Sequence, residues 1–525
     1  MTKLSGKNII GTSLSAEGSI TFNAENPANG QKLEPGFHEA AEKEIWLAIE
    51  KAATAFEVFR KKSGKERAVF LETIAEEVTA LGDSLITRCM EETGLPEARL
   101  KGERGRTVTQ LKMFAAYLRD GSWVEARIDK ADPVRTPPKP DIRSMQKALG
   151  PVGVFGASNF PLAFSVAGGD TTSALAAGCP VIFKAHPAHP GTCEMVGMAI
   201  AKAAEKTGMP EGTFSMVHGK STAVGLAIVR HPLIRAIGFT GSYRGGKALF
   251  DVANSRPVPI PVYAEMGSTN PVFILPEAMR QNKSNIAREL AASVTLGVGQ
   301  FCTNPGLVFY EPDVESSFAD TLSRSLEEIK PGVMLTSYIQ EAYQAGVSKL
   351  AGTQGVRTLF KGTVSGSGCY APAYLFQTSA DTFLNDHTLE EEVFGPSTLA
   401  VPAEDKQQLL RIARQLGGHL TATIHATEND LQQYAELVDI LEQKAGRLIV
   451  NGYPTGVEVT HAMVHGGPFP ATTDSRSTSV GTDAIRRFAR PVCYQNFPQS
   501  LLPLELRDDN PLGILRMVNG TYGRG

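Results

Sequence analysis

From Gly150 onward, short apolar runs alternate with helical segments, and this rhythm limits the fold more than any other feature of the chain. VGVFG, CPVIFK, FSMVHG, RAIGFTG and PVYAEMG read as strands. Between them lie Ala-rich segments such as LAFSVAGGDTTSALAAG and GTCEMVGMAIAKAAEKTG, which read as helices. A strand followed by a helix returns parallel to itself, so the pattern predicts a parallel, doubly wound sheet. Such sheets bind ligands at the carboxyl ends of their strands. A second run begins near Asn270: NPVFILP, a helix around Asn285 to Gly297, LVFYEP, a helix from Val314 to Ile329, then TLAVPA, LTATIHA and GRLIVNG. A chain of 525 residues is long enough for two such cores.

Upstream, the periodicity is helical. Ile45, Ala48, Ile49, Ala52 and Phe56, and again Leu71, Ile74, Ala75, Val78 and Leu81, line single faces, so this region is expected to be mainly packing helices. The stretch DKADPVRTPPKPDIRS, Asp129 to Ser144, carries too much proline and charge for a central helix or strand and is expected to be a hairpin or arm. In the tail, from about Thr473, FARPVCYQNFP is a candidate to pair with that arm or with another subunit.

With a net charge of -3, nothing favours nucleic acid or an anionic membrane as a partner. The N-terminal segment lacks a signal-peptide core, and no run approaches the roughly 18 apolar residues of a membrane span. A cytoplasmic location is expected. Six scattered cysteines are too few for a disulfide framework, so free thiols are expected.

Three residues stand where chemistry is possible. Cys302 lies in GQFCTNPG, where glycines and a proline allow a ligand to approach and a turn exposes N–H groups that favour a thiolate. Asn159, in GASNFP between a strand and a helix, suits either a helix cap or a donor toward a bound group. Glu265 closes an apolar strand in YAEMGSTNP, a place for a general base or for a solvated carboxylate. Lys184 ends CPVIFK within reach of ribose hydroxyls or a phosphate. Gly150, Gly153 and Gly156 miss the usual dinucleotide spacing.

Asn159 in NFP, Lys184, FTGS at Phe239 to Ser242, Glu265 in E-M-G, Cys302 in G-Q-x-C and EEVFGP at Glu391 to Pro396 resemble, in order and spacing, the NAD(P)-dependent aldehyde dehydrogenase superfamily from about Pro27 to Phe497. EMGSTNPVFILP, GQFCTNPGLV, GGPFPATT and RFARPVCYQNFP are similar to the branch of α-ketoglutaric semialdehyde (2,5-dioxopentanoate) dehydrogenases, which also holds bacterial NADP-preferring fatty-aldehyde dehydrogenases.

The resemblance implies an α/β fold of two doubly wound domains plus a small bridging or oligomerisation element. Residues 1–128 and 150–266 would bind cofactor, 267–472 would be catalytic, and 129–149 with 473–525 would bridge subunits of a homodimer or homotetramer. It implies a nucleophilic Cys302, a general base in Glu265 and an oxyanion donor in Asn159, with Phe160 beside the substrate. Phe155, Gly156, Ala157, Ser158, Lys184, Pro187, Lys220, Gly241, Ser242, Glu392 and Phe394 would hold the cofactor. The expected reaction takes an aldehyde to its acid through a thioester, with 2,5-dioxopentanoate as the expected substrate and a fatty or broad-specificity aldehyde as the alternative. Pro187 stands where many NAD-selective members carry Glu, so NADP is expected to be preferred and NAD accepted. Glu265 also argues against transfer of the thioester to CoA, because CoA-acylating members typically lack that glutamate.

Two other readings use different residues. His186, His189 and Cys193 lie close enough to suggest zinc, although the prolines between them fit a rigid connection and no metal is expected. Cys302 with His461 or His465 would make a cofactor-independent thiol hydrolase.

Overall fold

The computed structural model describes residues 4–312, 318–364 and 366–524. Two seven-stranded sheets organise it. In the first, the strands run in the order Val262–Glu265, Ala236–Thr240, Val152–Phe155, Val181–Lys184, Phe214–Val217, Asn8–Ile10 and Ser13–Ser15. The first five are parallel, as the alternation predicts, and the N-terminal pair adds antiparallel. Chain order reverses direction between Val152–Phe155 and Ala236–Thr240, which creates a topological switch point. Phe155, Lys184, Thr240 and Glu265 all lie at the carboxyl ends around it.

The second sheet runs Arg357–Lys361, Tyr374–Gln377, Ser397–Pro402, Leu307–Tyr310, Val272–Ile274, His419–His425 and Ala445–Val450, with its first strand antiparallel. Val272–Ile274 follows Glu265 after a short link, which places the carboxyl end of the first sheet beside the second. The helices bury apolar faces on these sheets. Leu71, Ile74, Ala75 and Val78 share one core with Val154 and Phe183, while Phe273, Phe309 and Phe376 centre another. No helix among the described residues is long and apolar enough to cross a membrane.

Four expectations need correction. The expected packing helices occupy Glu42–Phe59, Gly64–Ala80, Gly82–Thr93 and Glu97–Asp120, but residues 8–38 ahead of them carry four strands instead. The helix expected from LAFSVAGGDTTSALAAG begins only at Gly169; a Cβ on Gly168 would strike the Ala163 carbonyl, and the preceding residues turn tightly instead. In the arm, Asp132 and Lys139 bridge as a hairpin, but Ile142–Ala148 forms a true strand within a five-stranded sheet. The last proline is Pro140, so nothing after it blocks a ladder. The tail strand Ala489–Gln495 pairs with this strand along its whole length. The helix expected from Asn285 starts earlier, at Pro276, and of the helix expected from Val314 the described part is Phe318–Glu327, with residues 314–317 outside the described residues.

Candidate active site

Gly297, Val298 and Gly299 are all left-handed, with φ of 56°, 60° and 64°. A β-branched residue rarely adopts this conformation, so Val298 is strained. The turn throws the chain sharply ahead of Cys302. Gly299 is required here, since a Cβ would lie 2.3 Å from the Gly395 carbonyl. Asn270, fully buried at φ 47°, then fixes the loop: its Nδ2 donates to the carbonyls of Cys302 (2.8 Å), Asn304 (2.9 Å) and Ser268 (3.0 Å). Ser268 and Thr421 hydroxyls donate to its Oδ1. Cys302 is therefore half-buried and rigidly held, less exposed than a glycine-rich turn suggests.

Two further groups meet the thiol. His465 Nε2 lies 3.5 Å from Cys302 Sγ and 2.9 Å from Glu265 Oε1, and Ser479 Oγ donates to Glu265 Oε2 at 2.7 Å. A carboxylate only accepts, so Nε2 carries a proton. That proton makes His465 a donor to a thiolate and not its base, which argues against the hydrolase pairing. His461 contacts the Thr482 hydroxyl instead.

Burial, the Glu265 carboxylate and Glu392 push the Cys302 thiol well above its usual range, with Arg106 opposing them. Burial also raises Glu265, but the charge and hydrogen bond of His465, with Ser479 and Cys302, leave it below the ordinary carboxylate range. The resting pair is a neutral thiol beside an ionised carboxylate.

Asn159 is buried, and its side-chain amide donates to the Gln300 carbonyl at 2.9 Å. No helix starts after it, so it is not a cap. Arg99 donates to the Asn159 carbonyl (2.6 Å) while its guanidinium packs on Phe160 and Phe301 at 5.2 and 4.8 Å. Phe160 joins Phe164, Phe301, Val457 and Val459 in an apolar cluster beside Cys302.

The switch-point crevice gathers the other predicted residues. Phe155 to Ser158 leave one strand end, and a Cβ on Gly156 would strike the Phe183 ring at 2.7 Å. Gly241 and Ser242 leave the opposite strand, where Ser242 caps the helix Tyr243–Asn254. Burial lowers Lys184 to about 8, with Cys193 and Glu39 opposing. Pro187 is half-buried and Lys220 exposed. Sequence reasoning missed Glu39, whose carboxylate accepts from the Lys220 N–H (2.8 Å), the Ser221 N–H (2.9 Å) and the Ser221 hydroxyl (2.6 Å). The suggested zinc trio is otherwise engaged: His189 Nε2 bonds the Ala157 carbonyl, its Nδ1 meets Cys193, and His186 Nδ1 accepts from the Ala188 N–H.

Glu392 and Phe394 line a cleft with Ser268, Thr269 and Phe301. The Glu392 carboxyl overlies Gly267, where a Cβ would come within 2.3 Å of it, and its one long bond is from the Ser268 N–H at 3.4 Å. Burial pushes this carboxyl from 4.5 up to about 7 against that bond. A raised folded-state pKa contributes stability below the unfolded value that is lost as pH rises through about 7. Glu392→Gln should therefore stabilise the fold at about pH 8, by on the order of 1 kcal/mol, and not at about pH 5. Thermal melts at both pH values check this; equal shifts would mean that the carboxyl titrates normally.

The chain matches the model of the aldehyde dehydrogenase family over residues 14–479. It is 51% identical over 522 residues to "Alpha-ketoglutaric semialdehyde dehydrogenase 2" of Azospirillum brasilense, covering 99% of each chain. It is 46% identical over 524 residues to "Alpha-ketoglutaric semialdehyde dehydrogenase" of Acinetobacter baylyi, again covering 99% of each. Its fold is similar to that of betaine aldehyde dehydrogenase from Staphylococcus aureus in complex with NAD+, with a TM-score of 0.81 at 18% identity over 94% of this chain and 95% of that one. With its full-length relatives and a family match across most of its length, this chain belongs to the aldehyde dehydrogenase family, enzymes that oxidise an aldehyde with a nicotinamide cofactor.

Proposed function

We propose that this enzyme oxidises 2,5-dioxopentanoate to 2-oxoglutarate through a thioester on Cys302, with NADP as the preferred cofactor. The observation that carries the chemistry is the convergence of Cys302, Glu265 and His465, whose reactive atoms lie within 4.8 Å of one another. The names of these two full-length relatives supply the substrate.

The Cys302 sulfur bonds to the aldehyde carbon as its proton passes to Glu265. His465 Nε2–H steadies the thiolate during that transfer. The Asn159 amide and the Cys302 N–H stabilise the oxyanion, with about 3 kcal/mol from one such donor. A nicotinamide held in the crevice would supply the acceptor for the hydride that leaves this carbon. Glu265 gives the thiol proton up to solvent and then takes one from a water, whose oxygen bonds to the acyl carbon as the C–S bond breaks and Cys302 leaves as the thiolate.

The crevice suits such a cofactor. Glu392 has acceptor capacity left for ribose hydroxyls, and Gly156 and Gly241 leave room at the switch point. Lys184 has no ion-pair partner among the described residues and lies near the half-buried Pro187. Glu39 brings a carboxylate nearby, but the Lys220–Ser221 turn occupies it with three hydrogen bonds. A 2'-phosphate would thus meet Lys184 with little repulsion.

The strand Ala489–Gln495 is an open sheet edge, which suits pairing between subunits of a homodimer or a dimer of dimers.

Comparing kcat/KM for 2,5-dioxopentanoate, succinic semialdehyde and a long-chain aldehyde, each with NAD and NADP, tests the reading. The first aldehyde with NADP should give the highest value; a long-chain aldehyde in first place would overturn the substrate. Pro187→Glu should move the cofactor ratio at least tenfold toward NAD, about 1.4 kcal/mol. An unmoved ratio would place the discriminating contacts elsewhere.

A further inference from the structure

Arg106 lies on the helix Glu97–Asp120 beside the apolar cluster next to Cys302. Its guanidinium carbon is 5.3 Å from the Phe164 ring centre and 5.9 Å from that of Phe160. The Phe164 ring lies 5.9 Å from His465, which touches Cys302. Arg106 is therefore one aromatic ring away from the catalytic histidine and thiol.

Its hydrogen bonding is incomplete. Nε and Nη2 are both buried, and neither has a partner among the described residues. These two nitrogens form the side-on fork that receives both oxygens of one carboxylate. Arg143 shows the same fork filled, with Nε 2.8 Å and Nη2 2.9 Å from the two oxygens of Asp141. Burying an unpaired guanidinium edge is costly, so an empty fork beside an active site points to a ligand.

Around this area the guanidiniums of Arg99, Arg106 and Arg447 face the Glu103, Glu265 and Glu458 carboxylates. Glu103, one turn away, accepts from the Leu162 and Ala163 N–H groups through Oε1, and it faces both Arg99 and Arg106. Glu458 is exposed at the rim. Arg447 adds another guanidinium on the far sheet. Its Nη2 donates to the Pro454 and Gly456 carbonyls, fixing the loop that presents Val457 and Val459, and its Nε is buried without a partner among the described residues. The field of Arg106 reaches Cys302 and Glu265, and that of Arg447 reaches Cys302.

We propose that the empty Arg106 fork, supported by the charge of Arg447, is the subsite that takes the carboxylate of a short α,ω-oxoacid substrate and so selects it over uncharged aldehydes. The inference rests on the proposed reaction, because it assigns that substrate's far end. The substrate's apolar methylenes would lie over Phe160 and Phe164 while its aldehyde reaches Cys302. A fatty aldehyde would leave the fork buried and unpaired, which is a penalty against it.

The test measures kcat/KM for 2,5-dioxopentanoate and for pentanal, an uncharged aldehyde of equal length, in the parent, Arg106→Gln, Arg106→Lys and Arg447→Gln. Arg106→Gln should lower the ratio of the two values about 100-fold, mainly through KM for the charged aldehyde. Arg106→Lys should recover part of that loss, and Arg447→Gln should show a smaller one. A second readout uses pentanal as substrate and 2-oxoglutarate as inhibitor: its inhibition constant should rise tenfold or more in Arg106→Gln. If both aldehydes lose rate equally and inhibition is unchanged, Arg106 is structural and the subsite is overturned. If the ratio falls with Arg106→Gln but succinic semialdehyde is the parent's best substrate, the subsite stands and the proposed substrate fails.

Discussion

Cys302→Ala should lose dehydrogenase turnover by roughly 10⁴-fold or more, because removing a covalent nucleophile leaves only the binding and electrostatic parts of catalysis. NADPH affinity should stay within about twofold, since the crevice at Phe155, Lys184 and Gly241 lies at strand ends that the thiol does not help to form. Steady-state assays and fluorescence titration of the same preparation separate the two effects. Retained turnover would remove Cys302 from the chemistry, and a parallel loss of cofactor affinity would give it a structural role.

The second large effect belongs to Glu265. Glu265→Gln should lower steady-state turnover about 10²- to 10⁴-fold, the usual range for a lost general base. It should nonetheless retain a burst of reduced cofactor, because His465 Nε2 remains 3.5 Å from the sulfur to favour the thiolate while no group is left to activate water. Stopped-flow absorbance at the reduced-nicotinamide band reads both phases. Loss of the burst together with the steady-state rate would make activation of Cys302 the main duty of Glu265.

The parallel strands were legible because both of their faces are buried, which makes them continuous apolar runs such as VGVF and VIFK. The N-terminal strands were not. Ser13–Ser15 and Lys32–His38 are short or polar and contain Pro35, and Asn8–Ile10 joins its sheet only by reaching Phe214–Val217 far along the chain. The site divides in the same way. Cys302 and Glu265 are marked locally, one by its glycines and the other by its strand end. His465 was visible only as a possible partner for the thiol, 163 residues from Cys302, and its bond to Glu265 had no local sign. Ser479 meets Glu265 from 214 residues away. Asn270 looked like one more loop residue of EMGSTNP, and its clamp on Cys302 exists only because Val272–Ile274 lies between Leu307–Tyr310 and His419–His425 in the second sheet. Arg106 has no sequence signal beyond being one of 52 basic residues; its meaning comes from a fork left empty in three dimensions.

The most direct test of the covalent mechanism is to mix Glu265→Gln with 2,5-dioxopentanoate and NADP, quench in acid, and map acyl adducts by peptide mass spectrometry. The account predicts one adduct, on the peptide carrying Cys302, formed only when the oxidised cofactor is present and in step with the burst. A burst with no acyl group on Cys302, or an adduct on another residue, would contradict it.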